Sequence, residues 1–208
     1  PKLQNVAYGG GKMPRETIEA AMRLMPHVNF TNAYGLTETS ATICMLGPDD
    51  HRAAFENADP AIARRLGSVG RPIPTIELII RGEDGGTCAA EETGLVWVRG
   101  DQVSGEYKGL GSQLDSDGWF PTKDRGFVDA DGYLFIDGRA DDVIVRGGEN
   151  ISPGEIEDVL RAHASVKDVA AIAVADVQWG EAVGIAIVCD AGLEDCEICD
   201  LVRAKLRS

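Results

Sequence analysis

The chain has 208 residues, 44% hydrophobic and 26% charged, enough apolar material for one sizeable core or two smaller ones. Its 34 acidic residues against 20 basic ones leave a formal net charge of -14, which argues against a nucleic-acid partner, because a phosphate backbone is bound by clustered Lys and Arg. Apolar runs such as VAAIAVADV (169–177) and AVGIAIVC (182–189) are far shorter than the ~20 residues that span a bilayer, and no basic-then-apolar leader opens the chain, so a cytoplasmic protein without a membrane span is expected.

In chain order, LQNVAYGG (3–10) reads as a short buried strand ending in glycines. MPRETIEAAMRLMP (13–26) reads as a helix with Pro near its start and Ile18, Ala21, Met22 and Met25 along one face, and VNFTNAYG (28–35) as a second strand. Strand, helix and strand in succession place this opening in an α/β layer. From Gly70 to Gly138 short strands are cut by turns, in TIELIIRG (75–82), GLVWVRG (94–100), GWFPTKD (118–124) and RGFVDADGYLFIDG (125–138), a β-rich region in the form of a small barrel or meander. After GRADD (138–142) the rhythm changes again. VIVRG (143–147) is a strand, and SPGEIEDVLRAHA (152–164) a helix with Ser152 as N-cap, Pro153 in its first turn and Glu155 at capping-box spacing. Strands over 169–176 and 182–189 and a helix from Glu194 complete a small α+β domain. The expected organisation is residues 1–138 as the end of a larger domain and 139–208 as a small C-terminal domain, mixed α/β throughout.

Cysteine and histidine carry little. Five cysteines at irregular spacing fit a reducing compartment rather than a disulfide framework. Cys196 and Cys199 form a CxxC, but Ile198, Leu201, Val202 and Leu206 give that segment helical periodicity, and a structural zinc would need a second ligand pair. His27, His51 and His163 join no metal or triad spacing.

The stretch NAYGLTETSAT (32–42) is the chemically suggestive one. Its hydroxyls and amides can donate to phosphate oxygens, its single carboxylate Glu38 offers hard oxygen to Mg²⁺, and Tyr34 adds a flat face for a base, a set that suits a nucleoside triphosphate attacked at phosphorus. Taken alone it also reads as a strand-to-turn passage rich in Ser/Thr turns.

Together with AYGGGKMP (7–14) and the run TKDRGFVDADGYLFIDGRADDVIVRGGENISPGEIE (122–157), this stretch resembles the adenylate-forming superfamily of acyl-coenzyme A synthetases, luciferases and peptide-synthetase adenylation domains. The resemblance covers nearly the whole chain and implies a two-step reaction. A carboxylate attacks the α-phosphate of ATP, giving an acyl-adenylate and pyrophosphate, and a thiol then displaces AMP. It implies ATP, Mg²⁺ and coenzyme A as small-molecule partners beside a carboxylic acid, expected to be fatty or similar. An amino-acid or aryl-acid adenylation domain loading a carrier protein, or a non-catalytic nucleotide-binding module, is the alternative.

Residue by residue, the resemblance implies that Gly9, Gly10 and Gly11 lie beside the adenine and acyl group, that Tyr34 stacks on adenine, that Thr37 bonds the α-phosphate and that Glu38 binds Mg²⁺. It implies that Asp124 accepts from both ribose hydroxyls, a bidentate match of carboxylate to diol. Arg139 would be a second nucleotide contact, Asp141 the hinge of a rotating C-terminal domain, and Gly147 and Gly148 part of the thiol channel. Many relatives read Thr-Gly-Asp where this chain has Thr122-Lys123-Asp124, so a different local turn is expected there. The family's phosphate loop and C-terminal catalytic lysine have no counterpart in these residues, since Lys12 lacks Walker spacing and Lys205 lacks the preceding glycine. The chain is therefore expected to be a piece of a larger synthetase, inactive alone.

Overall fold

The computed structural model describes residues 2–11, 13–107, 111–189 and 195–205, and the chain divides into two compact units, Pro1–Ile136 and Asp137–Ser208. Lys12, Glu194 and Leu206, with the side chains of Cys196 and Lys205, lie outside the described residues. The fold is of the mixed α/β class expected.

The first unit opens with β1 (Asn5–Gly9), α1 (Arg15–Leu24) and β2 (Asn29–Leu36), the two strands parallel with Gly9 opposite Ala33. One face of α1 buries Ile18 and Met22, which pack with Val28, Phe30, Ala54 and Leu66. The chain then reverses. β3 (Ala41–Leu46) runs antiparallel to β2, α2 (Pro48–Glu56) and α3 (Pro60–Ala63) follow, and β4 (Arg71–Pro72) closes a sheet of order β1-β2-β3-β4. Both short helices begin with Pro, whose fixed φ suits the first turn.

The β-rich region takes the meander form. β5 (Glu77–Arg81), β6 (Gly94–Arg99), the small pair β7 (Glu106–Tyr107) and β8 (Gly111–Ser112), β9 (Phe120–Val128) and β10 (Leu134–Arg139) follow in sequence, and the main sheet has order β10-β9-β6-β5. Residues 120–124 and 125–128 are not in two strands as expected. They form the single strand β9, because the irregularity at Lys123 is absorbed by a register shift opposite Leu95–Trp97 instead of a reversal of the chain. Ile43 and Cys44 from the first sheet pack with Ile80, Val96, Val98, Phe120 and Leu134 from the second. Ile43 and Leu134 are fully buried, and burial of such side chains contributes about 1.5–3 kcal/mol apiece. The two sheets thus share one core.

The second unit holds β11 (Ile144–Arg146), β12 (Glu149–Ile151), α4 (Pro153–Arg161), β13 (Val166–Asp176), β14 (Gly180–Cys189) and α5 (Asp195–Lys205), with sheet order β12-β11-β14-β13. Ile156 and Leu160 of α4 and Ile198 of α5 pack on Val169 and Ala171 of β13. Leu201 and Val202 join them, as the helical periodicity anticipates, and Cys199 is exposed. Pro153 occupies the first helical position, but the expected capping box does not form. Ser152 is the N-cap residue without a side-chain cap bond, its hydroxyl donating instead to the Asp137 carbonyl at 3.2 Å. Among the described residues no helix is long and apolar enough to cross a membrane.

Candidate functional site

The parallel strands β1 and β2 end on the same side of their sheet, the position where open α/β sheets receive ligands. Gly9 ends β1 against β2, and a Cβ on it would stand 2.2 Å from the Ala33 carbonyl oxygen. Its lack of a side chain is therefore demanded by the sheet itself. Gly10 and Gly11 face open space, which leaves the strand end free for a ligand to approach the backbone.

Tyr34, next to Ala33 on β2, reaches the other sheet. Its hydroxyl donates to Oδ2 of Asp124, 90 residues away on β9. Asp124 is only 5% exposed, so this is an ordered carboxylate and not a solvated turn acid. Burial, then the charge of Asp124, raises the Tyr34 phenol well above its ordinary range, keeping it a proton donor. Thr122 shapes the backbone beneath, its hydroxyl donating to the Val96 carbonyl at 2.9 Å and accepting from the Asp124 amide at 3.1 Å. Between them Lys123 has φ +65, the left-handed region that favours glycine. The departure noted in the sequence keeps a glycine-like backbone with a lysine in it. Cys44, opposite Tyr34 in register, is fully buried, and burial pushes its thiol up to about 12, which makes it a packing group.

Thr37 and Glu38 stand on a single 3₁₀ turn, Thr37–Thr39, directly after β2. Thr37 is exposed and Glu38 half-buried, while Thr39 is fully buried, its Oγ1 accepting from the Leu36 amide and lying 2.9 Å from the Leu36 carbonyl. Ser40 (φ 53) and Ala41 (φ 85) then follow in the left-handed region, at about 1–2 kcal/mol for each residue with a side chain. The loop after β6 holds this turn. Gln102 Nε2 donates to the Thr39 carbonyl at 2.9 Å and the Thr42 carbonyl at 2.8 Å, and the Gln102 carbonyl accepts from Ser40 Oγ at 3.0 Å. Ser104 donates to the Glu38 carbonyl from its amide (3.0 Å) and its hydroxyl (3.1 Å). Five such bonds contribute on the order of 5 kcal/mol, enough to offset the strain.

Of the predicted residues, the structure brings Tyr34 and Asp124 into contact and sets Gly9, Gly10, Gly11, Thr37 and Glu38 along the ends of β1 and β2. Arg139, Asp141, Gly147 and Gly148 belong to the second unit. Arg139 is the exposed last residue of β10, and Asp141 is exposed in the 3₁₀ turn Ala140–Asp142. Gly147 (φ 59) and Gly148 (φ 91) form the two-residue turn between β11 and β12. The Gly147 amide donates to the Trp179 carbonyl at 2.9 Å, and a Cβ on Gly147 would stand 2.7 Å from the Trp179 ring.

Gln102 and Ser104 went unread in the sequence, for no periodicity marks a polar side chain that braces a distant turn. Thr122 had a readable signal, a hydroxyl two residues before an acid. His51 is also no bystander. It is fully buried, with Nδ1 donating to the Gly47 carbonyl at 2.8 Å and Nε2 accepting from the Tyr8 hydroxyl at 2.9 Å, which supports β1 from behind.

The strand ends, the buried Tyr34–Asp124 pair and the hydroxyl-rich turn with one carboxylate lie together on one unit, and the comparisons show the family of the chain that carries them. Residues 1–108 match the AMP-binding enzyme family and residues 155–208 the AMP-binding enzyme C-terminal domain, and the chain belongs to this family. It is 32% identical over 209 aligned positions to 2-succinylbenzoate-CoA ligase of Bacillus licheniformis, covering 99% of this chain and 41% of the relative. Against indoleacetate-CoA ligase of Aromatoleum aromaticum it is 35% identical over 190 positions, 89% of this chain and 34% of the relative. Among solved structures, the amide bond synthetase McbA of Marinactinospora thermotolerans superposes with a TM-score of 0.82 at 34% identity, over 98% of this chain and 41% of that one. O-succinylbenzoate coenzyme A synthetase (MenE) of Bacillus subtilis, in complex with ATP and magnesium ion, gives 0.79 at 28% identity, over 99% and 41%. The chain thus spans between about a third and two-fifths of the length of these relatives.

Proposed function

We propose that the protein to which these residues belong is an ATP-dependent acid-CoA ligase, joining a carboxylic acid to coenzyme A through an acyl-adenylate. The observation that carries this reading is the Tyr34–Asp124 pair, a buried carboxylate oriented by an aromatic hydroxyl at the mouth of parallel strands. Asp124 accepts from the ribose hydroxyls, Tyr34 offers its ring to the adenine, and Thr37 donates to the α-phosphate. Magnesium is held by one or two carboxylates together with substrate phosphates, and Glu38, half-buried on a braced turn, is a donor of that kind. When bound, the metal would neutralise phosphate charge as pyrophosphate departs. The names of the relatives support an aromatic acid over the fatty acid expected from sequence. The likeness to an amide bond synthetase supports a second reading, in which an amine is the acyl acceptor.

Arg139, Asp141, Gly147 and Gly148 take the roles of nucleotide contact, hinge and thiol-side turn in this proposal. Asp141 lies in a 3₁₀ turn, whose φ of about -50 to -70° a proline accepts. Asp141→Pro in the full-length protein would then lock this conformation and affect the two half-reactions unequally.

The test is acid-dependent pyrophosphate release by the full-length protein over a panel of aryl and fatty acids, with coenzyme A or an amine as acceptor. Release with an aryl acid and a coenzyme A thioester as product is expected. Asp141→Pro should lose thioester formation while acyl-adenylate is still made, and residues 1–208 alone should release no pyrophosphate. Absence of release with every acid, or failure to bind AMP, would refute the ligase reading, and an amide product would select the second one.

A further inference from the structure

We infer that Gln102 is a positioning residue for the metal and triphosphate, setting where Thr37 and Glu38 stand without itself meeting a ligand. The inference rests on the ligase reading above and adds a residue outside the stretches that carry it.

The turn after β2 passes through two consecutive left-handed residues with side chains, Ser40 and Ala41. Such a pair relaxes unless its surroundings over-determine it. Gln102 does this with one planar group. Its amide nitrogen grips the carbonyl before the pair, Thr39, and the carbonyl after it, Thr42. The two N–H directions of a single amide are fixed relative to each other, so the two carbonyls are held at a set separation. Carbonyls only accept, which fixes the orientation of the amide, and its Oε1 accepts from Thr75 Oγ1 at 3.1 Å. The loop that presents Gln102 is itself anchored, since the next residue, Val103, is buried in the core shared by both sheets. Glu38, one residue before the gripped carbonyl of Thr39, has its own carbonyl held by Ser104 on the same loop.

Tyr34 and Asp124 are held by each other and by Thr122, with no bond to Gln102. The structure therefore separates two supports, one for nucleoside recognition and one for the metal–triphosphate turn. Loss of Gln102 should act on the second and spare the first, a split that general destabilisation would not produce.

The experiment uses the full-length protein with Gln102→Leu, which fills the space without donors, and Gln102→Glu, which keeps an acceptor for Thr75 but offers the two carbonyls no N–H. Removing both bonds to the carbonyls should lower the acid-dependent pyrophosphate-release rate about thirtyfold and raise half-saturating Mg²⁺ about tenfold, with adenosine affinity within about twofold, and Gln102→Glu should not rescue. Equal loss of adenosine affinity and turnover, or unchanged turnover in a folded variant, overturns the inference. Amide hydrogen exchange across residues 36–44 reads the turn directly. If the parent protein releases no pyrophosphate, the ligase reading fails, while exchange about thirtyfold faster in Gln102→Leu still upholds the hold on the turn and unchanged exchange overturns it. If Gln102→Leu does not fold, Thr75→Val, which frees the amide without deleting it, should give the same pattern at about threefold, and a flat response there overturns the inference.

Discussion

Among the described residues two turns place consecutive residues in the left-handed region, and they do so by opposite means. Between β11 and β12 the pair is Gly147–Gly148, and between β2 and β3 it is Ser40–Ala41. Glycine adopts this backbone without steric cost, so the first turn is encoded locally. The second is imposed from outside by Gln102 and Ser104, and it begins two residues beyond the proposed metal ligand, Glu38. Strain gathers beside the proposed metal ligand, whereas the glycine hairpin of the second unit, the proposed thiol-side turn, carries none.

The sharpest way to break this comparison is a paired substitution. A Cβ on Gly35 would stand 1.4 Å from the Ala41 carbonyl oxygen, which the left-handed turn brings against β2. Gly35→Ala cannot be accommodated without moving backbone and should destabilise the first unit by more than about 3 kcal/mol in chemical denaturation. Gly148 has φ 91 but open space around it, so Gly148→Ala should cost only about 1–2 kcal/mol. Equal losses would mean that the turn after β2 yields more readily than its contacts imply.

The next largest effect concerns recognition rather than folding. Asp124→Ala in the full-length protein removes a buried charged acceptor from the ribose and should lower kcat/KM for ATP by roughly 2–5 kcal/mol of transition-state stabilisation. Tyr34→Phe leaves that carboxylate without one donor and should lose about 1–3 kcal/mol. Steady-state kinetics at varied ATP measures both, and unchanged values would return Asp124 to the class of structural acids.

How much of this was legible follows from where the information lies. The periodicity of Ile18 and Met22 announced α1, because that signal is local; β12 and the hairpin through Gly147–Gly148 were not read, since a three-residue strand carries too little pattern. The position of Asp124 was legible through motif order, but its bond to Tyr34 was not, since the two lie 90 residues apart and meet only when the sheets share a core. β9 was read as two pieces because Lys123-Asp124 has turn composition, whereas the sheet turns that irregularity into a register shift. Gln102 was invisible for the same reason as the Tyr8–His51 pair: each is a polar group whose partners are chosen by tertiary packing.

That buried histidine gives the third prediction. Burial lowers the His51 pKa below its ordinary 6.5, with Arg52 adding to the shift and the Gly47 carbonyl bond and the charge of Asp50 opposing it. The unfolded chain therefore takes up a proton at His51 at a higher pH than the folded one. The associated stability is fully present above pH 6.5 and is lost as pH falls from there toward the folded value. The melting midpoint should drop between about pH 7 and 5, and His51→Gln, which keeps one donor and one acceptor, should flatten that slope. Asp129 does not confuse the reading. Its carboxyl is buried, which alone would raise it, but the Tyr133 amide and Arg65 hold it below its ordinary 3.8, so its contribution is lost only at lower pH.

The smallest expected effect tests whether strain beside Asp124 is functional. Lys123 occupies φ +65 with a side chain, and replacing it by glycine relieves about 1–2 kcal/mol of backbone strain. Glycine also gains freedom in the unfolded chain, which returns about 0.5–1 kcal/mol. The difference leaves Lys123→Gly more stable by about 0.5–1 kcal/mol, read as a higher denaturant midpoint at unchanged slope. Because Tyr34 and Thr122 hold Asp124, ATP kinetics should stay within about twofold. Lys123→Val, placing a β-branched residue at positive φ, should move stability the other way. If glycine destabilises the protein instead, the lysine side chain makes an interaction that outweighs the strain, and the left-handed residue of β9 is held by its own side chain where that of the β2–β3 turn is held by a neighbouring loop.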